Sequence, residues 1–157
     1  MSAAKQKSKP LPEFRNAKAS RDYEIGQRFE AGLMLRGTEI KSVRAGQVNI
    51  SDAFVRFERG VPMLYHAHIA EYGYGNANNH RPYAQRKLLL HTREIHKILG
   101  EIRSGGRAVI PLRLYFKGSL LKCEIAVCTG KDKGDKRQDL KRKADERDIR
   151  QAMSPRR

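Results

Sequence analysis

The sequence predicts a mainly β domain with helices (α+β), folded as a small closed antiparallel barrel. Segments in which apolar and polar residues alternate recur between residues 28 and 128, which is the period of strands with one buried face. Two further segments have helical signals, and both ends of the chain lack an apolar pattern. We therefore divide the chain into a flexible basic segment over 1–20, a barrel over 21–129 and a basic tail over 130–157.

The strands are predicted from alternation and turn residues. "RFEAGLML" is the first strand, "DAFVRFERGVPMLYHAHI" is a hairpin turning near Gly60, and "RAVIPLRLYF" with "LLKCEIAV" is a last hairpin. The five-residue offset between Cys123 and Cys128 puts them on opposite faces of a strand, so we expect no disulfide between them. The side chains expected to face inward are Phe29, Ala31, Leu33, Leu35, Ala53, Val55, Phe57, Met63, Tyr65, Ala67, Ile69, Leu112, Leu114, Phe116, Leu121, Cys123, Ile125 and Val127.

Two helices are predicted within the barrel region. In "GTEIKSVRAGQ", Thr38 can cap the start and Gly46 can end the helix. "HTREIHKILGEIRSGG" is the clearer helix, with Thr92 as its expected cap. Its apolar positions follow helical spacing, at Ile95, Ile98, Leu99 and Ile102.

The chain is strongly basic, with a net charge of +16 that is spread over both ends and the body. Such a charge favours a polyanion, because phosphate contacts release counterions. A membrane surface and simple solubility are the alternatives. We expect no membrane partner and no secretory signal, since no stretch is long and apolar enough to cross a bilayer and "MSAAKQKSKPLPEF" lacks an apolar segment.

Signals for enzyme chemistry are weak. His66 and His68 could share a strand face and bind a metal, but no third ligand has a recognisable spacing, and ordinary surface histidines explain them more simply. "YGYGNANNH" lacks the context of a phosphate-binding loop. We therefore expect no catalytic residue, no metal and no cofactor.

Signals for nucleic-acid binding are stronger. Arg113, Tyr115 and Lys117 share the face opposite the core, as a cation–aromatic–cation stripe that can hold phosphates and stack bases, or simply a solvated sheet face. Of Leu88–Leu90, one leucine should be exposed, because three consecutive residues cannot all face inward. Further cations suited to phosphates are Lys41, Arg44, Arg86 and Lys87.

Five segments, in unbroken order over about residues 16–153, resemble the small protein B family, the SsrA-binding proteins of bacteria. They are "NAKASRDYEI", "FEAGLMLRGTEIKSVRAGQVNISDAFV", "RKLLLHTREI", "PLRLYFKG" and "GKDKGDKRQDLKRKADERD". The resemblance implies an OB-like antiparallel β-barrel of about six strands and three helices. It also implies a cytoplasmic, non-enzymatic factor that binds the tRNA-like domain of transfer-messenger RNA as a monomer, in a 1:1 complex. Its role would be trans-translation, the rescue of stalled ribosomes.

The resemblance also implies individual site residues. The RNA-binding positions of the family match Glu30, Leu89 and His91, where His91 replaces the asparagine of some members. Glu30 cannot attract phosphate, so we expect it to accept from base or sugar groups or to orient a nearby cation, or else to be a salt-bridged surface acid. The chain departs from the family at His80-Arg81-Pro82, where an acid often precedes the proline.

The resemblance implies that the tail is disordered when free and becomes helical in the decoding site and the empty mRNA channel of the ribosome, while the barrel replaces the missing anticodon arm. Opposite charges at i, i+4 spacing allow a helix, but the tail has no continuous apolar face to pack on a barrel. Folding on an anionic partner would follow. The tail residues expected at this site are Lys131, Lys133, Asp135, Lys136, Arg137, Ile149 and Met153.

Two other classes stay open from the sequence. A ribosome-bound structural protein would use basic tails in assembly and would need no second RNA. An RNA-cleaving hydrolase would need acid–base or metal groups that the sequence does not present.

Overall fold

The computed structural model describes residues 10–131 and, in the tail, Lys143, Ala144 and Arg147. These three tail residues have helical backbone and are exposed. The predicted flexibility of residues 1–9, and the predicted behaviour of the rest of the tail, lie outside the described residues.

The described chain forms nine strands and three α-helices. The helices are α1 (Ala17–Asp22), α2 (Gly37–Arg44) and α3 (Thr92–Arg103). The strands are β1 (Phe14–Arg15), β2 (Tyr23–Leu33), β3 (Val48–Asn49), β4 (Phe54–Glu58), β5 (Val61–Tyr65), β6 (His68–Ile69), β7 (Arg86–Leu89), β8 (Arg107–Lys117) and β9 (Leu120–Gly130).

Six of the strands form a closed ring. Their order is β8-β4-β5-β7-β2-β9, and β9 pairs again with β8, so that the sheet returns to its first strand. All of these pairings are antiparallel. β1 adds to the outside of β8, and β3 pairs with β6 in a separate two-stranded sheet. The prediction of about six antiparallel strands with three helices is confirmed.

The ring encloses the main hydrophobic core. Ala31, Leu64, Leu114 and Ile125 are fully buried there, and Ile98 packs α3 against it. Of the apolar face predicted for this helix, Ile98 and Ile102 pack on the core, and Ile95 and Leu99 are partly buried. Burial of each leucine or isoleucine side chain in this core contributes roughly 1.5–3 kcal/mol.

The two cysteines lie on opposite sides of β9, as their spacing predicts. Cys123 belongs to the core inside the ring, whereas Cys128 packs in a smaller cluster that includes Ala19 of α1. Both thiols are free. Burial raises the pKa of the Cys123 thiol to about 12 and holds that of Cys128 above its usual value.

The direction of side chains in β5 differs from the prediction. Leu64 is buried, whereas Met63 and Tyr65 are only partly buried. The reason is the two-residue turn at residues 59–60, which pairs Leu64 with the inward Val55. The predicted burial of residues 67 and 69 is still correct, because His66 has a φ of 59° and changes the phase of the alternation.

The direction of Leu112 in β8 also differs from the prediction. The register shifts between Pro111 and Arg113, so that Leu112 is an extra residue in a β-bulge. Pro111 and Leu114 therefore both face the core. Leu112 packs instead with the smaller cluster outside the ring.

Residues 14–20, which the sequence assigns to a flexible segment, lie in β1 and α1. Asn16 fastens this region, because its side chain accepts from the Ala19 N–H at 3.2 Å and donates to the Pro111 carbonyl at 3.0 Å. Ala19 is small enough to be buried beneath it.

Both longer helices begin at residues other than the predicted caps. Arg36 occupies the N-cap of α2 and His91 that of α3. In each case a glutamate three residues later, Glu39 or Glu94, accepts from the N-cap backbone N–H. Beyond α2, Gly46 has a φ of 81°, which agrees with its predicted role at the helix end. Within the described residues no helix is long and apolar enough to span a membrane.

Candidate nucleic-acid interface

One row of residues crosses the outer face of four strands. Tyr115 of β8 pairs with Lys122 of β9, Lys122 with Gly32 of β2, and Gly32 with Leu89 of β7. Glu30 lies two residues from Gly32 on the same face of β2. We call this area the Glu30–Leu89 surface, comprising Glu30, Gly32, Lys87, Leu89, Tyr115, Lys117 and Lys122.

Glu30 is bonded to two side chains of β8. The Tyr115 hydroxyl donates to one carboxylate oxygen, and Lys117 Nζ lies 3.4 Å from the other. The Tyr115 hydrogen bond holds the pKa of the Glu30 carboxyl below its usual range, and Lys117 and Lys122 lower it further. Burial raises the pKa of Tyr115 to about 12, with the Glu30 hydrogen bond as the next cause.

These contacts bear on the predictions for Glu30, which the sequence left open. The carboxylate does form a surface ion pair with Lys117, yet it also fixes Tyr115 and keeps 40% of its own side chain exposed. It can therefore still accept a hydrogen bond from a ligand while it orients a tyrosine and a lysine. The predicted role of orienting a neighbouring cation agrees with these contacts.

Leu89 is the leucine of the triple run that faces outward. Its side chain is 50% exposed, whereas Leu88 is buried and Leu90 packs partly against the core. A Cβ atom placed on Gly32 would lie 3.3 Å from Leu89 Cβ, so the glycine leaves room for the leucine to lie across β2. His91 follows as the exposed N-cap residue of α3. The predicted exposure of one leucine is confirmed.

Arg113 is held by acids of the protein itself. Its guanidinium contacts Glu124 at 2.7 Å and Glu13 at 3.1 Å, and it stacks over the Tyr115 ring at 4.3 Å. Arg28 contacts the other oxygen of Glu124. The predicted stripe on β8 therefore contains one arginine that positions Tyr115, next to the more exposed Lys117.

Lys41 and Arg44 lie on the exposed side of α2, and Lys41 Nζ is 5.2 Å from the centroid of the Tyr72 ring. Lys87 is exposed on β7 beside Leu89. These three lysine and arginine side chains are therefore free to reach a ligand. Lys41 and Arg44 belong to α2, whereas the Glu30–Leu89 surface lies on β2, β7, β8 and β9, so we treat them as two areas.

Arg86 corrects the sequence interpretation. We expected it on the RNA surface, but its side chain is only 1% exposed and forms an ion pair with the buried Glu39 at 2.5 Å. Its other donors contact the carbonyls of Ala67, Arg81 and Pro82. All three guanidinium nitrogens are bonded inside the protein. Arg86 therefore holds α2 to the loop before β7 and is not available to bind a phosphate.

Of the predicted tail residues, only Lys131 is described. Its backbone N–H donates to the Asp22 carbonyl, and its Nζ donates to the Ser20 carbonyl at 3.1 Å. The tail therefore leaves the ring beside the end of α1. The remaining predicted tail positions, Lys133, Asp135, Lys136, Arg137, Ile149 and Met153, lie outside the described residues.

Histidines 66 and 68 each contact an aromatic ring. His66 lies 5.1 Å from Phe54, and His68 lies 4.9 Å from Tyr83. Across the described ranges, no group of three His, Cys, Asp or Glu side chains is close enough together to hold a metal ion.

Sequence reasoning missed Lys122 and the link between Tyr115 and Glu30. Tyr115 and Lys117 were placed on the outer face, but their strand was not matched to β2. β2 pairs with β9 and β9 pairs with β8, which brings Glu30 and Tyr115 together. These pairings join residues far apart in the sequence, so local pattern does not show them. The outward period-2 positions of "LLKCEIAV" would have indicated Lys122.

The ring and its outer face define a class of protein: a small basic domain that presents cations, an aromatic ring and an apolar side chain together, as RNA-binding proteins do. The chain belongs to the SmpB family, because the family model described as "SmpB protein" matches residues 13–155. The chain is 48% identical to the SsrA-binding protein of Geobacillus thermodenitrificans over 90% of its length and 91% of that protein. It is 47% identical to the SsrA-binding protein of Geobacter sulfurreducens, over 88% of this chain and 90% of that protein.

A solved structure gives a similar result. A chain from the structure described as "tmRNA-SmpB: a journey to the center of the bacterial ribosome" is 40% identical to this chain. The TM-score is 0.65, and the match covers 78% of this chain and 87% of the other. The resemblance found in the sequence motifs is thus confirmed at the level of the family and its fold.

Proposed function

We propose that this protein binds transfer-messenger RNA (SsrA) and acts with it in trans-translation, the rescue of stalled ribosomes. The supporting observation is the Glu30–Leu89 surface, in a chain that shares a family with SsrA-binding proteins over nearly its whole length. A neighbouring structure of tmRNA and SmpB with the ribosome supports both partners.

On this surface the residues have different roles. Lys87, Lys117 and Lys122 attract phosphates and supply most of the salt-dependent affinity. Leu89 gives an apolar contact, and Glu30 accepts from a base or sugar while it orients Tyr115. Lys41 and Arg44 position the RNA backbone from α2. His91 can donate or accept at the edge of the surface.

The tail has a separate role in this proposal. It enters the decoding site and empty mRNA channel of the ribosome, while the ring stands in for the anticodon arm of a tRNA. The support is chemical: residues 130–157 contain eleven Lys or Arg against six Asp or Glu, which suits a channel lined by rRNA phosphates. Lys131 would fix the point at which the tail leaves the ring.

We further propose that the protein is a binding factor with no catalytic role of its own, and that it works in the cytoplasm as a monomer on one RNA. The relatives are named SsrA-binding proteins, a name that describes binding and includes no catalytic activity. A nuclease would degrade the RNA in a mixture of the two, so recovery of intact RNA after incubation is the check.

A gel-shift assay tests the RNA site. Wild-type protein should bind transfer-messenger RNA more tightly than bulk tRNA, and Glu30→Ala and Leu89→Ala should each weaken binding by about tenfold, or about 1.4 kcal/mol. Leu11→Ala is the matched control, because Leu11 is 49% exposed, as Leu89 is at 50%, and lies outside the surface. Equal affinity of the wild type for both RNAs would refute the proposal. So would co-sedimentation with ribosomes in fixed stoichiometry without the RNA.

A further inference from the structure

The loop between β6 and β7 contains a large exposed aromatic residue that the Glu30–Leu89 surface does not use. Tyr74 is 84% exposed, more than any other large apolar side chain in the described ranges. It belongs to "YGYGNANNH", a segment with glycines but without the context of a phosphate-binding loop. A single exposed tyrosine needs no explanation by itself. Tyr74 is of interest because the hydrogen bonds of its loop hold it in a defined position.

The loop is closed by the side chain of Asn79. Its Nδ2 donates to the Tyr72 carbonyl at 2.7 Å, and its Oδ1 accepts from the Tyr72 and His80 backbone N–H groups, each at 3.1 Å. A Cβ atom on Gly75 would lie only 2.8 Å from the Asn79 amide, so a side chain at residue 75 would push that amide out of its place. Three hydrogen bonds from one side chain therefore set the backbone around Tyr72.

The base of the loop is fixed to the ring and to α2. His80 is buried, with its Nδ1 2.9 Å from Thr38 Oγ1 and its Nε2 donating to the Ile69 carbonyl. The buried Arg86 donates to two further carbonyls, those of residues 81 and 82. The loop therefore holds one position relative to α2.

The fixed loop places two tyrosines beside a cation. The rings of Tyr72 and Tyr74 meet edge to face, with centroids 5.6 Å apart and planes at 63°. Lys41 Nζ lies 5.2 Å from the Tyr72 centroid, and Arg44 follows three residues later on α2. Tyr72 thus contacts both Lys41 and Tyr74, and the Tyr74 ring remains exposed to solvent. We call Lys41, Arg44, Tyr72 and Tyr74 together the Tyr74 platform.

We propose that Tyr74 stacks on an unpaired base of the bound RNA, while Lys41 and Arg44 contact the phosphates next to that base. This inference rests on the proposed function and adds a second contact area to it. An open aromatic face beside cations matches the two parts of an unpaired nucleotide, the base and the phosphate. The net charge of +16 favours a polyanion as the ligand.

The direct test compares three tyrosine variants by gel shift on transfer-messenger RNA. Tyr74→Ala should bind about tenfold more weakly, whereas Tyr74→Phe keeps the ring and should bind within twofold of wild type. Tyr83→Ala is the matched control, because Tyr83 is also exposed, at 65%, and contacts His68 in place of the platform. Unchanged affinity of Tyr74→Ala, with wild-type binding intact, would overturn the inference and leave the proposed function standing.

Salt dependence separates stacking from charge. Lys41→Ala should reduce the slope of log K against log salt by about 0.7–0.9, the value for one lost phosphate contact. Tyr74→Ala should lower K at every salt concentration without changing the slope. A slope change with Tyr74→Ala would contradict stacking.

Fluorescence reports base stacking at residue 74 directly, and it would not change if Tyr74 only helped the loop to fold. The chain has no tryptophan, so Tyr74→Trp makes a single-tryptophan protein. Its emission should be quenched on addition of transfer-messenger RNA, because a base would stack on the indole. Absence of quenching while the gel shift shows binding would overturn the inference. So would a Tyr74→Ala protein that binds the RNA normally but associates poorly with ribosomal proteins, because the platform would then serve a protein partner.

Discussion

At the scale of single residues, Glu30 accepts hydrogen bonds from Tyr115 and Lys117, and these contacts decide how it responds to pH. Its pKa is lowered in the folded protein, so any stability it contributes is present above its unfolded pKa and is lost as pH falls through the folded pKa. We expect Tyr115→Phe to raise the pKa of Glu30 more than Lys117→Ala does, because the hydroxyl is the largest cause. An NMR titration of the side-chain carboxyl carbon measures both. A larger shift for Lys117→Ala would contradict this assignment.

Arg86 and its neighbour Lys87 provide a second residue-scale prediction. Arg86→Ala leaves the Glu39 carboxylate buried without its partner, so unfolding in urea should show a loss of about 3–5 kcal/mol. Lys87→Ala removes an exposed cation from the same strand and should change stability by less than about 0.5 kcal/mol. Its effect should appear instead in RNA affinity. Equal stability of the two variants would show that the buried pair does not hold α2 to the loop.

Individual residues were predictable from the sequence when local spacing decided them. The outward position of Leu89 follows from three leucines in one strand, since they cannot all be buried. Arg86 was not predictable in this way, because its partner Glu39 is 47 residues away and burial of both depends on how α2 packs. The sequence around a strand arginine is the same whether its side chain is exposed or buried in an ion pair, so local sequence cannot tell the two cases apart.

At the scale of elements, two glycines near helices should respond oppositely to alanine. Gly100 lies within α3, and a Cβ atom there meets nothing within 4 Å, so Gly100→Ala should stabilise the protein by about 0.5–1 kcal/mol. Gly46 also has open space but a φ of 81°, so Gly46→Ala should destabilise it by about 1 kcal/mol. Urea unfolding of both variants is the measurement. Stabilisation by both would mean that backbone conformation does not decide the outcome.

Most elements were predictable from the sequence, but two strand faces were not. Alternation identified β5 and β8, yet it put Met63 inward where Leu64 is buried, and it counted Leu112 with the core. The two-residue turn and the β-bulge each move the phase by one residue. Because the side-chain period is two, such a step exchanges the faces. Apolar residues on both sides of these strands leave the phase undetermined by pattern alone.

At the scale of the whole molecule, the ring and the tail should be separable. A chain ending at residue 131 keeps every described contact of the ring, so we expect it to bind transfer-messenger RNA within about threefold of the full protein. It should fail to support tagging on stalled ribosomes. A full-length Glu30→Ala protein is the matched comparison, since it should fail at RNA binding first. Loss of RNA binding on truncation would contradict the division of roles.

The tail gives a further whole-molecule prediction. Isolated helices of its length are marginal in water, and each i, i+4 charge pair contributes only about 0.2–0.5 kcal/mol. The helical backbone at Lys143, Ala144 and Arg147 should therefore be sparsely populated in the free protein. Hydrogen exchange of the free protein should show no helical protection beyond residue 131, and protection should appear on the ribosome. Strong protection without a ribosome would contradict folding on the partner.

Closure of the ring has a consequence for how any partner can recognise this protein. Each of its six strands has a neighbour on both sides, so none of the ring strands has a whole edge free for another chain to add a strand. We therefore expect partners to recognise outward side chains and loops, with the paired strands serving mainly as the support that displays them. Outward residues can consequently be substituted one at a time, which changes the contacts with a partner while the strand pairing stays the same.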